Sequence, residues 1–137
     1  IKKESLAWKV AFVSSRKIDN INILKASLLA MKTAVEGLQI EPDLILVDGL
    51  YKPDLHKPCK AIVKGDTKHE SIMAASIIAK VERDQMMIDL DKKYPNYGFM
   101  SNKGYPTKFH LNAIELYGSC EEHRRTFNPL RDKVYKI

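Results

Sequence analysis

Two short apolar runs, Leu44-Ile45-Leu46-Val47 and Ala61-Ile62-Val63, each lead into a turn that carries an aspartate. Runs this short, with no polar residue inside them, predict strands covered on both faces, as in α/β sheets. The first stops at Asp48-Gly49 and the second at Lys64-Gly65-Asp66. In such sheets, ligands meet the protein at the carboxyl ends of the strands. Taken singly, each acid also reads as a turn cap, because Asp-Gly is a common turn dipeptide. Taken together, two carboxylates repel and favour a divalent cation between them, and hard oxygen ligands select Mg²⁺ or Mn²⁺.

The remaining pattern fits helices around that sheet. Residues 6–13 alternate, with Leu6, Trp8, Val10 and Phe12 on one face, which predicts a further strand. Asp19 and Asn20 offer cap chemistry for a helix whose stripe runs through Leu24, Leu28, Met31, Val35 and Leu38 and ends near Gly37. Residues 50–60, with Pro53 and Pro58, predict a loop. A long helix is expected over 70–92, with Ala74, Ile77, Ile78, Val81 and Ile88 on its apolar side and Pro95 beyond its end. Residues 96–107 predict a second loop, and 107–117 a helix that stops at Gly118. The order β-α-β-β-α-α predicts an α/β domain with helices on a sheet and a C-terminal helical region. With 137 residues, one domain with its own core is the expectation.

Charge narrows the partners. Lys and Arg number 23 against 17 Asp and Glu, a net +6, which favours an anionic partner and nucleic acid before membrane. No apolar run approaches the ~18 residues of a spanning helix, and no Arg-flanked apolar leader opens the sequence. Cys59 stands in no CxxC or CxxH pattern and Cys120-Glu121-Glu122-His123 is a lone CxxH with no second pair, so a cytoplasmic setting is expected rather than a disulfide framework or zinc site. Walker, dinucleotide-binding, nucleophile-elbow and HExxH motifs do not occur.

Several groups suit a phosphate backbone. Ser76 and Lys80, four apart on the long helix, share a face. Lys103-Gly104-Tyr105 sits in a loop where glycine permits close approach and tyrosine can stack on a sugar or base. Lys64 stands beside Asp66. A solvated helix face accounts equally for Lys80, and half-buried packing for Tyr105. Asp84 reads as a helix-surface or salt-bridge residue. His69, His110 and His123 show no ligand spacing, and His123-Arg124-Arg125 adds positive charge.

These residues, in order, resemble the ribonuclease HII family. The matching segments are Asn22-Ile23-Leu24, Ala34-Val35-Glu36-Gly37, Leu46-Val47-Asp48-Gly49, Val63-Lys64-Gly65-Asp66 and Ala74 to Val81 leading to Arg83-Asp84. They continue with Tyr94-Pro95, Tyr97-Gly98, Lys103-Gly104-Tyr105, Thr107, His110, His123-Arg124-Arg125 and Phe127. The resemblance implies a ribonuclease H-like fold and cleavage of the RNA strand of RNA–DNA hybrids, including ribonucleotides embedded in duplex DNA. It implies two-metal hydrolysis leaving 5′-phosphate and 3′-hydroxyl ends. Asp48 and Asp66 match the family's third and fourth catalytic carboxylates, and Tyr105 matches the tyrosine that packs against the ribonucleotide. Ser76 and Lys80 match positions along the substrate backbone.

The family's opening strand, Asp-Glu-Ala-Gly-Arg-Gly, with two further carboxylates, occurs nowhere in the 137 residues. The expectation is therefore a single ribonuclease HII-like domain over 1–137 without its N-terminal strands. Such a domain would carry an open sheet edge that self-associates or leaves the chain marginally stable, and would be nearly inactive alone. The rival expectation is a non-catalytic nucleic-acid-binding or assembly module of the same fold.

Overall fold

The computed structural model describes residues 1–124. The fold is α/β, with a small parallel sheet and helices. The elements are α1 (Ser15–Ile21), α2 (Ile23–Glu36), β1 (Ile45–Asp48), β2 (Cys59–Ile62), a 3-10 turn (Gly65–Thr67), α3 (Glu70–Lys93), α4 (Phe99–Asn102) and α5 (Lys108–Tyr117). They fall into two compact units, one of residues 1–13 and 22–82, the other of 14–21 and 83 onward.

In the first unit, β1 and β2 pair in parallel, with Ile45 opposite Cys59 and Asp48 opposite Ile62. The ladder is extended at both ends, by Ile45 N–H to the Pro58 carbonyl and Gly49 N–H to the Ile62 carbonyl, each 2.9 Å. Parallel neighbours usually need a helical crossover; here the Pro-containing stretch 49–58 makes the return without one. The parallel sense brings the carboxyl ends of both strands to the same side. Ile45 and Val47 are buried, whereas Leu46 is only half-buried and Leu44 is exposed, so β1 is covered on one face rather than both.

Helix α2 is capped by Asn22, whose side chain accepts the Lys25 N–H at 3.0 Å, and ends at Gly37 as predicted. The cap is thus not Asp19 or Asn20. Those two residues lie inside the separate helix α1, because a cap must precede the first helical turn and Asn22 alone occupies that position. Residues 6–13 are not a strand. An alternating pattern becomes a strand only where a neighbour accepts its ladder, and among the described residues the sheet has two strands, neither of them this segment. Leu6, Trp8 and Phe12 are exposed.

The predicted apolar side of α3 also differs. Ile77 and Val81 are exposed, and Ile72 is the residue of this part of the helix that is buried. Ala74, Ala75, Ile78 and Ala79 instead line an open apolar groove of about 740 Å³ with Trp8, Val35 and other side chains of the first unit.

The second unit has its core at Met87, Tyr97, Phe99, Ala113 and Ile114, with Met86, Leu90, Tyr94 and Cys120 packed against it. Tyr97 and Phe99 stack at 5.3 Å between centroids. The predicted loop 96–107 contains the short helix α4, opened by Gly98 and closed by Lys103, both in the left-handed region. That turn is fixed by tertiary contacts of buried Phe99 and Asn102, which no local periodicity reveals. Helix α5 begins at Thr107, whose hydroxyl accepts the His110 N–H at 3.2 Å, and ends at Gly118. No helix among the described residues is long and apolar enough to cross a membrane.

Candidate active site

The first cluster forms where β1 and β2 end. The Asp48 Oδ1 accepts the Gly65 N–H at 2.9 Å, so the acid that ends one strand is tied to the turn that follows the other. Asp66 is the next residue along, in the 3-10 turn Gly65–Thr67. The turn is entered through Lys64, a left-handed non-glycine residue at φ 55°. It is closed by the Thr67 and Lys68 amides, which donate to the Lys64 and Gly65 carbonyls at 3.0 Å, and by the Thr67 hydroxyl on the Lys64 carbonyl at 2.7 Å. Left-handed geometry costs an ordinary residue energy, and here the hydrogen bonds around the turn hold it in place.

Gly65 is required by space. A methyl group there would lie 2.7 Å from the Ile72 Cδ1, 3.4 Å from the Ile62 Cβ and 3.6 Å from the Asp48 Cα. Asp48 is exposed and Asp66 half-buried, so both carboxylates are reachable from solvent. Ser76 and Lys80 are exposed on α3, and the Ser76 hydroxyl donates back to the Met73 carbonyl at 2.8 Å. Among the described residues, no group of three or more His, Cys, Asp or Glu side chains converges on one point. Two carboxylates are nonetheless the donor set with which Mg²⁺ commonly binds, its other positions going to water and phosphate oxygens.

The second cluster holds Tyr105. The residue is 72% exposed, yet its backbone is held by several hydrogen bonds. The Tyr105 N–H donates to the Asn102 carbonyl at 2.9 Å, and its carbonyl accepts from the Thr107 N–H at 2.8 Å and from the His110 Nδ1 at 2.9 Å. Asn102, buried, holds the loop from within: its amide donates to the Tyr97 carbonyl at 2.6 Å and its Oδ1 accepts the Gly104 N–H at 2.8 Å. Gly104 has φ +87° and lies close to Met87 and Arg83, so only glycine fits the turn before Tyr105 without strain. The Arg83 guanidinium donates to the Lys103 carbonyl at 3.4 Å. Arg124 has its pKa lowered, first by burial and then by Arg83, with Asp19 opposing.

Behind the loop, the His110 Nε2 meets the His123 Nε2 at 3.0 Å, and the His123 Nδ1 accepts the Cys120 N–H at 2.9 Å. Burial, and after it the neighbouring His110, holds His123 down to about 4. Burial pushes the Cys120 thiol up. Asn102 carries no signal in the sequence, and His110 and His123, 13 residues apart, show no ligand spacing there; the two histidines meet only in the folded unit. Arg125 and Phe127 lie outside the described residues.

A family model for ribonuclease HII matches residues 1–129. Ribonuclease HII of Vibrio vulnificus (strain YJ016) is 52% identical over 131 residues, covering 96% of this chain and 63% of that protein. Ribonuclease HII of Acinetobacter baylyi is 52% identical over 134 residues, covering 96% and 70%. The chain thus spans somewhat under two thirds of the length of its Vibrio relatives. Among solved structures, that of ribonuclease H2 from Pyrococcus horikoshii OT3 superposes with a TM-score of 0.69 at 27% identity, covering 87% of this chain and 64% of that one. With the family model matched along nearly its whole length, the chain belongs to the ribonuclease HII family.

Proposed function

We propose that this chain carries part of the active site of an endoribonuclease that cuts the RNA strand of RNA–DNA hybrids and ribonucleotides embedded in duplex DNA. The observation that carries the reading is the tie between Asp48 and Gly65, which orients one carboxylate at the carboxyl ends of parallel strands and joins it to the residue before Asp66. Membership of the ribonuclease HII family supports the reaction class.

Asp48 and Asp66 would hold Mg²⁺ or Mn²⁺. When bound, such a cation polarises the scissile phosphate and lowers the pKa of water beside it. The chain's own residues do the rest. The Gly65 amide orients the Asp48 carboxylate before any ligand arrives. Lys64, Lys80 and Lys103, with Ser76, meet phosphate oxygens, contacts that position a duplex without reading its sequence. Tyr105, exposed on a fixed backbone, lies against the ribonucleotide, where the 2′-hydroxyl marks RNA apart from DNA. A cytoplasmic setting accords with the two free thiols, Cys59 and Cys120.

Cleavage of an end-labelled hybrid by this chain together with the family's N-terminal Asp-Glu-Ala-Gly-Arg-Gly segment, in Mg²⁺ and in Mn²⁺ with the product ends typed, tests the proposal. Metal-dependent cuts leaving 5′-phosphate and 3′-hydroxyl ends, abolished by Asp48→Asn, are expected. Duplex binding with no cleavage under either metal would favour a non-catalytic binding module instead.

A further inference from the structure

The directions of three hydrogen bonds fix the protons on two histidines. A carbonyl oxygen only accepts, so the His110 Nδ1 that meets the Tyr105 carbonyl carries a hydrogen. A backbone amide only donates, so the His123 Nδ1 that meets the Cys120 N–H carries none. A neutral His123 then bears its hydrogen on Nε2, and the 3.0 Å contact between the two Nε2 atoms runs from His123 to His110. The chain Cys120 N–H to His123 to His110 to the Tyr105 carbonyl is thus complete and one-directional, with both rings neutral.

The surroundings hold the rings in this order. His110 is buried, meeting Phe99 edge-on at 5.5 Å, and His123 meets Tyr97 edge-on at 4.9 Å. Tyr97 and Phe99 belong to the core of the unit. The far end of the chain is a residue whose ring is exposed while its backbone is held. A relay packed against that core therefore ends on the carbonyl of Tyr105 and holds the backbone from which the exposed ring projects.

From this geometry we infer that His110 and His123 are positioning residues for Tyr105: the imidazole pair, in its fixed tautomer order, sets where the Tyr105 ring stands against a ribonucleotide. The inference rests on the reading of Tyr105 as the ribonucleotide contact. Neither histidine touches nucleic acid. They act through the Tyr105 carbonyl, and the order of their protons is what they contribute.

Two substitutions separate the bond to Tyr105 from packing. In His110→Asn the carboxamide stands where Nδ1 was and can still donate to the Tyr105 carbonyl. In His110→Gln it stands where Nε2 was and keeps the contact with His123 only. The measurement is the affinity of the 137-residue chain for a DNA duplex with one ribonucleotide, divided by its affinity for the all-DNA duplex. Tyr105→Ala and His110→Gln should each lower this ratio by about fivefold, the factor one ordinary hydrogen bond is worth. His110→Asn should keep most of it. Imidazole ¹⁵N shifts of the unmodified chain should show hydrogen on Nδ1 of His110 and on Nε2 of His123.

Loss of the ratio in Tyr105→Ala with none in His110→Gln would overturn the inference alone, as would equal loss in the asparagine and glutamine variants or the opposite tautomers. An undiminished ratio in Tyr105→Ala, or no discrimination by the unmodified chain, would remove the reading of Tyr105 and the inference with it.

Discussion

Asp48 and Gly65 are joined by a 2.9 Å hydrogen bond from the glycine amide to the carboxylate, across 17 residues of chain. The bond couples the end of β1 to the turn after β2, so that neither acid of the cluster is set by its own strand alone. A charge-assisted bond of this kind is stronger than a neutral one and fixes the orientation of the carboxylate. The close approach that permits it depends on the absence of a side chain at residue 65.

Gly65→Ala tests that approach directly. The new methyl would come 2.7 Å from the Ile72 Cδ1, inside van der Waals contact, and Ile72 is buried. Overpacking of this sort costs about 1–3 kcal/mol. The expected result is a lower denaturation midpoint with an unchanged slope. Ile72→Val removes the clashing carbon, so the double variant should lose less than the two single variants added together. Strict additivity would show that the strain falls elsewhere.

Asp48→Asn separates charge from geometry. The asparagine carbonyl can still accept the Gly65 amide, so stability should change by no more than about 0.5 kcal/mol. It cannot supply the charge a divalent cation needs, and hybrid cleavage by the chain completed with the family's N-terminal segment should fall by orders of magnitude. Asp66→Asn should impair cleavage too, whereas Asp84→Asn should act on stability rather than chemistry. Near-normal cleavage by Asp48→Asn in Mg²⁺ would remove the residue from the active site.

That each acid lies at or just after a strand end was legible because the signal is local: an apolar run, then an acid, twice. The long helix and its stop at Pro95 were legible for the same reason, since periodicity and proline act within a few residues. The segment 6–13 shows the limit of such signals. Alternation states which side chains share a face and says nothing of whether a neighbouring strand exists to pair with them. The contacts of Asn102, His110 and His123 were hidden for a further reason. Their hydrogen bonds run to backbone groups and to each other, so only the folded loop gives them meaning.

Asn102→Ala should show how much that loop depends on one buried amide. The substitution removes the Asn102 donor from the Tyr97 carbonyl in the core and the acceptor from the Gly104 amide, and the loss of the buried bond costs about 1–3 kcal/mol. Thermal unfolding should shift down, and the Gly104 amide should exchange hydrogen faster than in the unmodified chain. An unchanged exchange rate would mean the turn is held by Lys103 and Gly104 alone.

Lys80→Ala should weaken binding to every duplex alike and reduce the slope of log affinity against log salt by about one, because one phosphate contact is lost. A loss confined to ribonucleotide-containing duplexes would assign Lys80 to recognition rather than to the backbone.

Acid should weaken the fold through His123. Burial and His110 hold its folded pKa at about 4, against 6.5 for the free side chain. Between these values the unfolded chain takes up a proton that the folded chain refuses, so stability rises with pH in that window. The contribution is fully present above pH 6.5 and is lost progressively as pH falls toward 4. The structural cause is visible: a proton on Nδ1 of His123 would face the Cys120 N–H, donor against donor. Urea unfolding at pH 7.5, 6, 5 and 4 should show the fall, and His123→Asn should remove most of it, because its amide oxygen can accept from Cys120 without titrating. A slope that survives in His123→Asn would place the acid sensitivity in another group.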